Sequence, residues 1–441
     1  MANTGLSRTF GTPTNNLKWT FSAWIKRSNV TTTQNIFSAR IDGSNFGMIS
    51  INSSGYLDVA SYIGGFEMRY ITNRVFRDTS AFYHIFVSND SSLASPETKI
   101  YINGVLETSF STSNAASQNE ESMINKSGVA HWVGQNGNNQ SYFDGSMSHI
   151  HFCDGTALAP TVFGSTDSTT GEWKINTSPS FTLGNNGFTI LKDGNTITDQ
   201  STNSNDFSLG GGTLTKTESS PSNVFATMNP LLGVGSSATY SNGNLTAVIA
   251  SSKSNASTLG AGAGKFYFET KINTVGSTYL GFCSERNTGT NFSSWRPLTE
   301  SALVNQTGSV YNGAGNTGID SLPDIVNNDI IGCALDVDNK KFWWSKNGQW
   351  YSANASSSST INISDVESGN SSYDFSSWSG QFVFASFGTS TNANNISVNF
   401  GNGYFGTTTV SSAGTNASGI GIFEYDVPTG YTALSTKGLN L

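Results

Sequence analysis

The sequence predicts an all-β protein built from two antiparallel sandwiches, and three observations carry that expectation. Asn-Gly occurs seven times, at 103, 136, 186, 242, 312, 347 and 402, and it is the pair that tight hairpin turns prefer. No long Ala/Glu/Lys/Leu stretch recurs at helical period, while aromatic residues at 12% of the chain fall mostly in alternating runs. The stretch from Ile330 to Tyr351, IIGCALDVDNKKFWWSKNGQWY, reads as strand, turn, strand, turn, strand. An earlier segment repeats that design: HIFVSND (84–90), then KIYINGVLETSF (99–110), bent at Asn103-Gly104.

Taken in order, LKWTFSAWIKR (17–27) alternates, so Trp19, Phe21, Ala23 and Ile25 should face the core and Thr20, Ser22 and Lys26 the other side. Further strands are expected at 35–41, 46–51, 56–62, 66–71, 82–88, 99–103, 105–110 and 147–153, and the first module should span 1–163. From 164 to 232 the strand runs shorten to Gly187–Leu191 and Asp206–Leu209 among GNNG, DGN and LGGGT. This reads as an extended connector, packed on its neighbours through Trp173, Phe181, Phe188, Phe207 and Phe225 rather than free. The second module, 233–406, opens with KFYFETKI (265–272), whose Phe266, Phe268 and Ile272 face inward with Lys265, Glu269 and Lys271 opposite. Its other strands are expected at 278–283, 307–312, 329–337, 340–345, 349–352, 381–387 and 396–400. Ser352 to Ser372 reads as a long surface loop and 407–441 as a short C-terminal tail.

Composition excludes several classes of function. The net charge is −8, no Lys/Arg run exceeds two residues, and residues 1–165 hold ten basic against eleven acidic side chains. Nucleic acid needs clustered cations, so neither it nor another polyanionic polymer is an expected partner. Three cysteines, none close to another, exclude a small disulfide scaffold. Neither a secretory signal nor an 18-residue apolar span is seen, which gives the expectation of synthesis and assembly in a cytoplasm.

Several stretches are specific enough to carry a resemblance. TNNLKWTFSAWIKRSN, TNRVFRDTSAFYHIFVSND, KIYINGVLETSF and YFDGSMSHIHFCDGTALAPTVFG together resemble a laminin-G/concanavalin-A-like module of the kind found in structural proteins of tailed bacteriophages, marine ones especially. TGEWK, LGNNGF, NSNDFSL and PSNVFATMNPL continue the likeness. GKFYFETKI, YLGFCSE, IIGCALDVDNKKFWWSKNGQWY and FVFASFG resemble a SPRY domain, and VPTGYTALST is similar to the tails of the same phage proteins. The resemblance implies two concanavalin-A-like (jelly-roll) sandwiches joined by the connector, in a virion protein that binds neighbours, glycans or a host envelope.

Catalysis finds little support in the residues. Strand 147–153 reads MSHIHFC where a sandwich glucanase would place alternating carboxylates. No P-loop or G-x-S-x-G elbow occurs, and the four histidines lie within 84–151, so the protein is expected not to be an enzyme. His149, His151 and Cys153, spaced i, i+2, i+4 with Asp154 beyond, could ligate zinc, or could be outward polar packing facing solvent or a neighbouring subunit. Same-face residues lie about 6–7 Å apart along a strand, which favours packing, and no metal is assigned. Calcium is left open at the Asp-rich turns 42–44, 144–146, 154–156 and 336–339, with ordinary Asx turns as the competing reading.

Exposed aromatics remain. A sugar's C–H face stacks on Trp or Tyr while amides and carboxylates bond its hydroxyls. Trp295, Tyr311 and Trp378 sit in loop-like stretches of the second module, and Trp350 and Tyr351 follow a hairpin turn. Those five are the expected ligand-binding residues. The expected function is a tail fibre or tail-associated adhesin recognising host-surface glycan, working as a homo-oligomer with a trimer as first guess. Its partners would be other virion proteins. The alternative is a capsid decoration or head-fibre protein making only protein contacts; a polysaccharide depolymerase is the third class.

Overall fold

The computed structural model describes residues 3–192, 194, 196–232, 238–250, 252–287, 292, 294 and 296–440. The chain forms two compact units, 1–216 and 217–441, so the segment expected as a connector is divided between them at Lys216. Both units are built almost wholly of antiparallel strands.

In the first unit, an eight-stranded sheet carries Gln34–Asp42, Asn45–Ile51, Tyr56–Ile63 and Phe66–Val75 as consecutive neighbours, with Ala130–Val133 beside the first. A six-stranded sheet holds Gly145–Asp154, Lys18–Arg27, Tyr83–Asp90 and Glu97–Ile102 side by side. The sheets meet through stacked rings: Phe37 lies 4.9 Å from Phe21 and 5.7 Å from Phe152, centroid to centroid. Trp19, Phe21, Ala23 and Ile25 are all fully buried, as the alternation of that strand predicts.

The opposite face of that strand is covered as well. Thr20, Ser22, Trp24 and Lys26 are also buried, because 156–184 crosses back over the six-stranded sheet as a third layer. The crossing is pinned where Thr20 Oγ1 donates to the Thr156 carbonyl (2.9 Å) and accepts from the Leu158 N–H (2.8 Å). Phe163 then covers Phe86 at 5.9 Å and His151 at 5.2 Å. Asn103-Gly104 forms the expected turn, and a Cβ on Gly104 would stand 2.2 Å from the Trp173 ring, so only glycine lets this layer close. The stretch expected as one strand at 105–110 is instead two, Val105–Leu106 and Phe110–Asn114, on different sheets.

The second unit repeats the plan. One sheet holds Lys265–Thr274, Ile330–Asp336, Lys341–Lys346 and Gln349–Tyr351 as neighbours. The other carries Val383–Thr389, Thr278–Ser284, Ser301–Asn305 and Ser309–Asn312. Phe268 bridges them, 5.6 Å from Phe282 and 6.1 Å from Phe387. Here too the second face is covered: Tyr267 and Glu269 are fully buried beneath the C-terminal segment. Phe423 meets Tyr267 edge-on at 5.0 Å, and Thr432–Ala433 pairs in parallel with Phe266 and Tyr267. Glu269, opposite the inward residues, is buried because this tail is a structural layer. The Ser-rich stretch 352–372 is more than a loop, since it contains the helix Ile363–Glu367, closed by a capping box between Asn362 and Asp365.

Candidate functional site

The polar groups that most resemble catalytic or metal-binding machinery lie under the first unit's third layer. Ser22 Oγ stands 2.8 Å from His84 Nε2, the spacing of a nucleophile and its base. The other ring nitrogen decides the matter: the Trp173 indole N–H, which can only donate, meets His84 Nδ1 at 2.9 Å. The neutral ring therefore carries its proton on Nε2 and donates to Ser22, so it cannot take the serine proton. Burial pushes the His84 pKa down to about 3, which keeps the ring neutral.

His149, His151 and Cys153 do not face solvent or a neighbouring subunit, because Phe163 and Phe181 of the same chain lie over His151. A bulge shifts the register between Ser148 and His151, and His149 takes a φ of 49°, so the regular i, i+2 geometry is lost. Burial pushes the Cys153 thiol up to about 11, away from the thiolate a zinc ion requires. His151 Nδ1 is 2.9 Å from Thr189 Oγ1, and the Cys153 thiol donates to the Thr182 carbonyl at 3.0 Å.

Calcium takes roughly six to eight oxygen ligands with open lone pairs, and in three of the four Asp-rich turns a carboxylate is already spent on donors of the same chain. Asp154 accepts from Thr14 N (2.7 Å), Asn15 N (3.2 Å), Asn186 N (3.1 Å) and Asn125 Nδ2 (2.7 Å). Asp42 accepts from Ser44 N and Asn45 Nδ2. Asp336 accepts from both nitrogens of Asn339 and pairs with Lys265 at 3.1 Å. Among the described residues, no group of three or more His, Cys, Asp and Glu side chains could hold a metal ion.

The second unit gathers the sequence-predicted aromatics differently from expectation. Trp350 belongs to the core, 4% exposed and 6.1 Å from Tyr267 under the C-terminal layer, so its faces are already taken. Tyr351 is half-buried at the end of the strand Gln349–Tyr351 and packs against the same core. Trp295 lies outside the described residues. Tyr311 is on the strand Ser309–Asn312 rather than in a loop, with Tyr279 edge-on at 5.6 Å. Trp378 is in a loop as expected, half-buried on Phe375 at 4.9 Å and Phe342 at 6.2 Å.

Tyr373 stacks on Phe342 at 4.7 Å, the ring that Trp378 meets at 6.2 Å, and its hydroxyl reaches the Asn312 side chain. Arg296 Nε donates to the Asn312 carbonyl at 2.7 Å. Leu298 and Phe382 stand out nearby, 50% and 46% exposed. Two carboxylates fix the Trp378 loop. Glu300 accepts from Ser379 N (2.6 Å), Gly380 N (3.0 Å) and Ser284 Oγ (2.7 Å). Glu285 accepts from Gln381 N (2.7 Å) and Phe382 N (2.9 Å). A Cβ on Gly380 would meet Glu285 and Glu300 oxygens at 2.8 and 2.9 Å, so only glycine passes between the two acids. Burial pulls both carboxyls upward, but the N–H groups they accept outweigh it and hold both below the usual range. A glycosidase needs one carboxyl kept protonated near neutral pH; this pair supplies none.

Sequence reasoning missed Arg296, Tyr373 and the two glutamates. Their roles rest on contacts as distant as Glu285 to Phe382, 97 positions apart, which no local pattern records.

Residues 4–163 match a laminin-G-type family model described as the concanavalin A-like lectin/glucanases superfamily. Among solved structures, the SPRY domain of human HERC1 is 14% identical, with 39% of this chain and 96% of that one covered at a TM-score of 0.29. A heptameric SAP-like pentraxin from Limulus polyphemus is 17% identical, covering 35% of this chain and 71% of its own at 0.27. A putative carbohydrate binding protein from Bacteroides ovatus is 14% identical, covering 48% of this chain and 58% of its own at 0.33.

Proposed function

We propose that this chain is a non-enzymatic glycan-binding protein whose second unit makes the contact. The observation that carries the reading is the fixed loop that presents Trp378. Its half-buried indole sits on a backbone whose N–H groups are held by Glu285 and Glu300. Preorganised rings of this kind lose little entropy on stacking against a sugar. The concanavalin A-like lectin/glucanase match over residues 4–163 is in keeping with a carbohydrate partner. The finer reading is attachment: a tail fibre or tail-associated adhesin of a tailed phage, present in several copies, that binds a host-surface glycan. The stretches that resemble those of phage virion proteins support it.

A specific observation favours a second reading. Leu298 and Phe382, half exposed beside the site, would suit contact with a neighbouring virion protein in a capsid decoration. Antibody labelling of intact particles separates the two. Label at the tail periphery is expected for the adhesin, and label on the capsid lattice would overturn it in favour of decoration. Incubation with host envelope polysaccharide should release no new reducing ends; their appearance would overturn the non-enzymatic reading.

A further inference from the structure

The seven Asn-Gly pairs do not share one environment, and the pair is chemically labile as well as turn-forming. Glycine puts no side chain in the way when its main-chain nitrogen turns on the neighbouring asparagine side chain. Attack on the asparagine Cγ needs a side chain free to swing, a glycine N–H not committed elsewhere, and water.

Six of the pairs are held. Asn103 Oδ1 accepts from His84 N at 2.8 Å. Asn347 Oδ1 accepts from Ile330 N and its Nδ2 donates to Asp329, both at 2.8 Å. Asn136 Oδ1 takes Asn138 N and Gln140 N, and Asn312 Oδ1 takes Ala314 N and Gly315 N. Asn186 is buried and bonded through both amide atoms to Gly11. Asn402 is buried too, and the Gly403 N–H is spent on Asn399 Oδ1 at 3.1 Å.

Asn242 differs. It is exposed, at the start of a turn closed by Leu245 N donating to its carbonyl at 3.3 Å. Its amide donates to Thr246 Oγ1 at 3.1 Å. Among the described residues nothing donates to its Oδ1, and the Gly243 N–H makes no hydrogen bond. This turn joins Ala238–Ser241 to Thr246–Ile249, and Ala238–Ser241 is an edge strand whose ladder within the described residues runs to that one neighbour.

We propose that Asn242 is a site of spontaneous deamidation that loosens this edge hairpin. Gly243 N gives up its proton and attacks Cγ. The Cγ–Nδ2 bond breaks, ammonia leaves with that proton, and a five-membered succinimide remains. Water then opens the ring at either carbonyl, so the net reaction consumes one water and releases one ammonia. Opening at Cγ leaves aspartate. Opening at the main-chain carbonyl leaves isoaspartate, whose chain runs through Cβ and Cγ and is one atom longer. That extra atom disturbs the pairing of Ser241 with Thr246, and either product adds a negative charge.

The test ages the full chain in mildly alkaline heavy-oxygen water and locates the incorporated label by tandem mass spectrometry. Asn242 should convert at least about fivefold faster than each of the other six pairs, which must first break a hydrogen bond or become uncovered. In urea the seven rates should draw together. Aged wild type should lose amide-exchange protection across 238–249. Asn242→Gly, which accepts the φ of 53° at that position and has no amide to lose, should keep it. Faster conversion of another pair would overturn the proposal. So would the same ranking in urea, since local sequence rather than the fold would then set the rates. Wild type and Asn242→Gly that age alike would also overturn it.

Discussion

Single residues here are governed by how completely their polar atoms are matched. Asp154 takes four N–H donors in a buried pocket, so Asp154→Ala should leave those donors stranded and cost about 3 kcal/mol or more, read by chemical denaturation. Trp24, 5% exposed and stacked on His84 at 4.9 Å, should cost about 3–5 kcal/mol as Trp24→Ala. Glu269 is the residue whose charge depends most on pH. Burial raises its pKa to about 7, against the four groups that donate to it: Glu424 N, Tyr425 N, Tyr267 Oη and Asn399 Nδ2. Its folded value lies above its unfolded value, so its contribution is fully present below pH 4.5 and is lost as pH rises through about 7. The melting temperature of the wild type relative to Glu269→Gln should therefore fall across that window, by the equivalent of about 3 kcal/mol. A difference that stays flat would contradict the assignment.

At the scale of elements, strand alternation and Asn-Gly turns located the strands well, because both signals are local. Lys18–Arg27, Lys265–Thr274 and Lys341–Lys346 lie within two residues of their expected bounds. What alternation could not show is which second faces are covered. Thr20 and Glu269 lie opposite the inward residues in sequence, and the chain that covers them arrives from 138 and 156 positions away. The covering layers are irregular chain, whose packing follows from tertiary contacts rather than periodicity. The same blindness misplaced Trp350, which follows a hairpin turn, and hid the bonds from Ser379 and Gly380 that tie the Trp378 loop to Glu300. Gly104→Ala should be costly for an exposed turn, about 2 kcal/mol or more, since its φ of 74° and the Trp173 ring both forbid a side chain. Removing residues 423–441 should uncover Tyr267, Trp343 and Trp350, and rapid proteolysis of the second unit is the expected readout.

For the whole molecule, the two units each own a core and a covering layer, so the division at Lys216 should be a folding boundary. Residues 1–216 should melt cooperatively when expressed alone. Residues 1–163 should not, because the layer that seals Trp24, His84 and His151 is then missing. A cooperative 1–163 fragment would contradict the importance assigned to that layer. Function at this scale rests on whether a fixed aromatic surface meets a glycan, and retention of the intact chain on immobilised host envelope polysaccharide measures it most directly. The account predicts that the wild type is retained and that Trp378→Leu, folded and melting normally, binds about tenfold more weakly or worse. Equal retention of the two proteins, or no retention of the wild type on any host polysaccharide, would contradict it.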